Sequence, residues 1–117
     1  MRNLFIIICL AIFTLGATSC SKCKNEDPRA RIINNGTEET SVQIKTSGGN
    51  TENINNIDVG TTSDYRSYAP GVVEFTVSVG NNNPIVQTVT MLECYEYDIV
   101  ISANNTVAST PRDRNED

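Results

Sequence analysis

From Arg29 onward, apolar and polar residues alternate with a period of two, and turn residues interrupt the alternation roughly every 8 to 12 positions. The clearest run is Val73-Glu74-Phe75-Thr76-Val77-Ser78-Val79. Successive side chains of an extended strand point to opposite faces, so Val73, Phe75, Val77 and Val79 define a buried face and Glu74, Thr76 and Ser78 a wet one. Tyr97, Ile99 and Ile101 repeat the pattern, while Val42 and Ile44, then Ile85, Val89 and Met91, supply facing layers. The spacing predicts strands over Arg29 to Asn34, Ser41 to Thr46, Glu52 to Ile57, Ser63 to Tyr68, Val72 to Val79, Ile85 to Met91 and Tyr95 to Ala103. Asn35-Gly36, Ser47-Gly48-Gly49-Asn50, Pro70-Gly71 and Gly80-Asn81-Asn82-Asn83-Pro84 punctuate them as turns. The expectation is an all-β, seven-stranded antiparallel β-sandwich over residues 29–107. Residues 108–117 are polar, with Pro111 and no apolar repeat, and read as a flexible C-terminal tail.

The chain opens differently. Met1-Arg2-Asn3 is a short basic start, and Leu4 to Leu15 is a nearly uninterrupted apolar run of 12 residues. That is short of the ~20 needed to span hydrocarbon, and small residues follow it, so residues 1–19 read as a removed signal peptide rather than a retained transmembrane helix. Ala17-Thr18-Ser19-Cys20 resembles the lipobox of bacterial lipoproteins, with Ala17 where Leu is commoner. The resemblance implies that Cys20 carries diacylglycerol and becomes the acylated first residue of the mature chain. Ala17 and Ser19 also suit an ordinary signal peptidase, which leaves plain secretion as the other reading. Residues 20–28 then form a lipidated tether, polar and ending at Pro28. Ser21 after the lipidated cysteine looks like an outer-membrane destination. Lys24 with Glu26-Asp27 is similar to the tethers of surface-exported lipoproteins, interrupted by Asn25.

Cysteine arithmetic bears on both points. Four Cys less leader Cys9 leave Cys20, Cys23 and Cys94, and using Cys20 as the lipid carrier leaves an even pair for an oxidising envelope. A Cys23–Cys94 disulfide is the favoured arrangement; a buried Cys94 thiol with free Cys23, or intermolecular pairing through Cys23, are the alternatives.

Several segments together carry a further resemblance: Ala30-Arg31-Ile32-Ile33-Asn34, Val42-Gln43-Ile44, Gly60-Thr61-Thr62-Ser63-Asp64-Tyr65, Pro70-Gly71 before Val73 to Val77, and Tyr97-Asp98-Ile99-Val100-Ile101. In order and spacing these resemble an uncharacterised bacterial family of small immunoglobulin-like or transthyretin-like β-sandwiches in envelope lipoproteins, often repeated in tandem. The likeness covers residues 29–103. Cys94 departs from it, since small residues such as Gly are common at that turn. The family implies no catalytic residues.

Composition narrows the chemistry. The 117 residues lose 19 to the leader, leaving 98 (117 − 19), enough for one small domain. Net charge is −5 (9 − 14), or −6 without Arg2 (8 − 14), which is no footprint for nucleic acid. With no His, imidazole acid/base chemistry and His-ligated zinc are excluded within the chain, and two thiolates are too few for a zinc site. No cofactor or metal is expected. Tyr65, Tyr68 and Tyr95 are candidate ligand contacts, because flat rings stack on sugars; Tyr97 reads instead as a corner tyrosine bonding to backbone. Glu96 and Asp98 alternate with Tyr97 and Ile99, and read as solvated carboxylates on a wet strand face. The expected function is a non-catalytic, lipid-anchored module at the outer membrane, its partners the membrane and envelope proteins. A glycan-binding accessory lipoprotein is the alternative.

Overall fold

The structure, a computed structural model, describes residues 22–115. Eight strands build it: β1 (Arg29–Asn34), β2 (Thr40–Lys45), β3 (Thr51–Ile57), β4 (Arg66–Ser67), β5 (Gly71–Val79), β6 (Ile85–Met91), β7 (Tyr95–Ile101) and β8 (Val107–Asp113). They form two four-stranded sheets, ordered β4-β1-β7-β8 and β3-β2-β5-β6, and the described residues contain no helix. The described residues are therefore all-β, arranged in two sheets. The leader and Cys20 lie outside the described residues.

Strand faces follow the sequence alternation. Phe75, Val77, Ile99 and Ile101 are each fully buried, and Val72 and Glu74 point outward from β5. The Phe75 and Tyr68 rings pack edge to face, their centres 6.4 Å apart and their planes at 88°. Tyr97 behaves as a corner residue: its hydroxyl accepts the Leu92 N–H at 2.9 Å and donates to the Thr90 carbonyl over 3.5 Å. Gly71 adopts a positive φ of 124°, a conformation that glycine favours, and a Cβ there would meet that of Ser47 at 2.9 Å.

Three expectations are corrected. The strands number eight, because Val107–Asp113 pairs along the whole of β7 where a frayed tail was expected. Pro111 does not prevent this: β8 is an edge strand, and an edge can leave one side of its backbone unpaired. The sheets are not wholly antiparallel, since β1 runs parallel to β7 from Arg29↔Glu96 to Asn34↔Ile101. The fourth strand shrinks from Ser63 to Tyr68 down to Arg66–Ser67, joined to β1 by two residue pairs, with a separate Ile33↔Thr62 bridge.

The connections gather at two poles. At one, Asn34 is fully buried, donating to the carbonyls of Glu38 (3.0 Å) and Ile57 (2.9 Å) and accepting the Gly36 N–H (2.9 Å). Its backbone N–H reaches Thr61 and its carbonyl accepts from Gly60, so one side chain and its peptide groups knit the β1–β2 and β3–β4 connections. The β7–β8 connection joins them through Asn105, which accepts the Thr37 N–H at 3.0 Å. The opposite pole holds the first described residues, the β6–β7 turn and the end of β8.

Candidate functional site

Two arrangements stand out, both on the sheet that contains β1, β7 and β8. The first is the pole at which the chain enters. Cys23 and Cys94 are disulfide-bonded with a Cα–Cα separation of 5.7 Å, across 71 positions of sequence. Cys94 sits in the Leu92–Tyr95 turn, closed by the Tyr95 N–H on the Leu92 carbonyl at 3.3 Å, and takes a left-handed φ of 60°. That conformation favours residues without a Cβ. The Cys94 N–H donates to Glu26 (2.9 Å), and its carbonyl accepts from Arg114 (3.0 Å), so this one residue holds both ends of the folded chain. Asn115 completes the join by accepting the Cys23 N–H at 2.7 Å and donating to the Cys23 carbonyl at 3.4 Å. Tyr68 N–H bonds Pro28, and Arg114 pairs with Glu26 at 3.4 Å. Residues 23–28 are thus part of the fold, which corrects their reading as a tether.

The second arrangement is the outer face of the same sheet. Strand register sets Arg29, Glu96 and Arg112 in one row, with Arg31 and Asp98 in the next. Glu96 accepts from Arg29 (2.7 Å) and Arg112 (2.7 Å), and Arg31 meets Asp98 at 2.8 Å. Tyr65 covers the rows: the Arg29 and Arg31 guanidiniums lie 4.5 and 4.8 Å from its ring centre, and Arg112 donates to its hydroxyl at 2.8 Å. Cation–π contact and ion pairing here act on the same side chains. Glu96 is only 9 % exposed, which corrects its reading as a solvated carboxylate: three arginines and a tyrosine roof the strand face. The arginine partners were legible in principle, because Arg29-Ala30-Arg31 and Glu96-Tyr97-Asp98 present opposite charges at the same two-residue spacing.

Burial pushes the Glu96 carboxyl up, but the hydrogen bonds from Arg112 and Arg29 outweigh it and hold it below its ordinary value of 4.5. A carboxyl lowered by folding stabilises the fold at pH values above its unfolded value, and that contribution disappears as pH falls through the lower folded one. The urea midpoint of the wild-type protein should therefore drop as pH falls below about 4.5. Glu96→Gln should start lower at neutral pH and fall less steeply in acid, so that the two curves approach each other. Parallel curves would mean that Glu96 does not couple to folding.

The candidate tyrosines do not form one platform. Tyr65 lies on the outer face between arginines, and Tyr95 is half-buried and stacked on Tyr97 at 6.1 Å. Tyr68 is 4 % exposed within the core, where burial pushes its phenol up to about 12, so its reading as a ligand contact is corrected. A hollow of about 220 Å³ on the other sheet is lined by Lys45, Thr46, Ser47, Val72 and Glu74, with no aromatic ring among them. Among the described residues, no group of three His, Cys, Asp or Glu is placed to hold a metal ion. Compared with known proteins, the chain matches no family model, no curated protein and no solved structure.

Proposed function

We propose that this chain is a non-catalytic, lipid-anchored protein of the bacterial cell envelope, its sandwich serving as a structural or protein-interaction module at the outer membrane. The observation that carries the reading is the Cys23–Cys94 disulfide. It points to an oxidising compartment, and it uses two of the three cysteines that follow the apolar leader, leaving Cys20 as the odd one. Cys20 directly follows the small residues that resemble a lipobox, which gives it a use.

Within that reading the sandwich is transthyretin-like rather than immunoglobulin-like. An immunoglobulin sandwich places its first two strands in one sheet, in the order A-B-E-D. Here β1 and β2 lie in different sheets, and β1 is flanked by β4 and β7. The glycan-binding alternative draws less support, because the three tyrosines that suggested it are dispersed.

Intact-mass measurement of the mature protein should find residue 20 acylated, and Cys20→Ser should move the protein from the membrane fraction to the soluble one. A soluble wild-type protein that begins at an unmodified Cys20 would falsify the anchored reading.

A further inference from the structure

We infer that the pole carrying the Cys23–Cys94 disulfide is itself a bilayer-contacting surface, with Leu92 inserted at the boundary between lipid headgroups and acyl chains. The inference rests on the anchored reading above and adds an orientation to it. Cys23 follows Cys20 by three positions (23 − 20). At a maximum of roughly 3.6 Å per residue, the disulfide pole lies within about 11 Å of the lipidated residue. Headgroups on one side of a bilayer occupy about 5–8 Å, so the pole has little room to stand clear of them. Free residues 23–28 would have allowed the domain to stand off. The disulfide, the Glu26 and Pro28 carbonyl bonds and the Asn115 contacts remove that slack.

The pole presents an exposed apolar side chain in the β6–β7 turn. Leu92 is 53 % exposed while Met91 beside it is 1 % exposed, and Leu92 shares its four-residue turn with Cys94. Single exposed leucines are ordinary on protein surfaces; this one matters because it lies two positions from the residue that fixes the tether. Charge does not supply the attraction. The 22–28 segment, Glu93 and residues 113–115 together carry Lys22, Lys24 and Arg114 against Glu26, Asp27, Glu93 and Asp113, a balance of −1 (3 − 4). The contact is therefore made by the short tether and apolar insertion, and it should form on neutral lipid and persist in salt.

The chain has no Trp, so a single introduced one is a clean reporter. Leu92→Trp tests the proposed contact. Val59→Trp, at a residue 51 % exposed in the β3–β4 connection of the opposite pole, is the matched control. Lipidated mature protein is bound to phosphatidylcholine vesicles with brominated acyl chains, and each variant is first checked for an unchanged melting midpoint. The Leu92→Trp variant is expected to lose more than half of its indole emission and the Val59→Trp variant to keep it. Inserting a long Gly-Ser segment between Ser21 and Lys22, with the disulfide intact, should restore the emission of Leu92→Trp. Vesicle-bound Leu92→Trp that stays unquenched, or two variants quenched alike, overturns the inference and leaves the anchor standing. Mature protein without lipid on residue 20 overturns the anchored reading instead.

Discussion

Phe75→Ala is expected to destabilise the domain by about 3–5 kcal/mol, and Thr76→Ala, one position along, by no more than about 0.5. Phe75 is fully buried at the centre of β5, paired with Ile44 of β2 and Gln87 of β6, and its ring fills the space against Tyr68. Truncation removes the apolar contact and leaves a cavity that neighbours on two strands cannot close. Thr76 lies on the opposite face of the same strand, half-buried over Gln43 and Val86. Domains of this size have a total stability of about 5–15 kcal/mol, so the Phe75 loss is a large fraction of it. Urea denaturation of both variants measures the difference. Equal losses would reverse the assignment of buried and wet faces.

The second large effect belongs to the disulfide. Replacing both Cys23 and Cys94 by Ser should lower stability by roughly 4 kcal/mol, the chain-entropy value for a closed loop of this length. The loss has a local signature as well. The Cys94 and Tyr68 amides donate to Glu26 and Pro28, residues that the disulfide keeps in place. In the double-Ser variant these two amides should exchange with solvent markedly faster, while those of the β2–β5 ladder should change only with global stability. Global loss without this local change would mean that the hydrogen bonds of residues 23–28 hold the segment unaided. Alkylation of both cysteines in the unreduced mature protein would show that the bond does not form.

The alternation in β5 and β7 made their buried faces legible, because each has one wholly dry side: Phe75 and Val77, then Ile99 and Ile101. β8 escaped the same test because an edge strand of half-buried Val107 and Ser109 needs no strong apolar stripe, and Pro111 reads as a breaker until its place at the edge is known. β4 was read too long, since a strand extends only as far as its partner does, and β1 offers it two residue pairs. Tyr65, Tyr68 and Tyr95 carry identical local signals, and only the packing of two sheets decides which ring is buried. The Cys23–Cys94 pairing was legible from the cysteine count together with the apolar leader. The Arg29–Glu96–Arg112 row was legible only as a matched charge spacing, because alternation assigns a face and says nothing of which distant strand lies beside it.

The position of β1 has a kinetic consequence. Its neighbours are β4, through two pairs, and β7, whose first residue follows the end of β1 by 61 positions (95 − 34). The β3-β2-β5-β6 sheet is made of antiparallel strands joined largely by short connections, so it can assemble while the rest of the chain is still arriving. β1 cannot be placed until β7 is present, and pairings so distant in sequence are the slow ones, because the loop must close before its contacts form. Closure of Cys23 on Cys94 belongs to the same late step. A chain interrupted before Tyr95 would retain an early sheet and leave Arg29–Asn34 as an extended, apolar-alternating segment with almost no partner. Such a strand invites pairing with another chain, so completion of the last two strands is what protects the first.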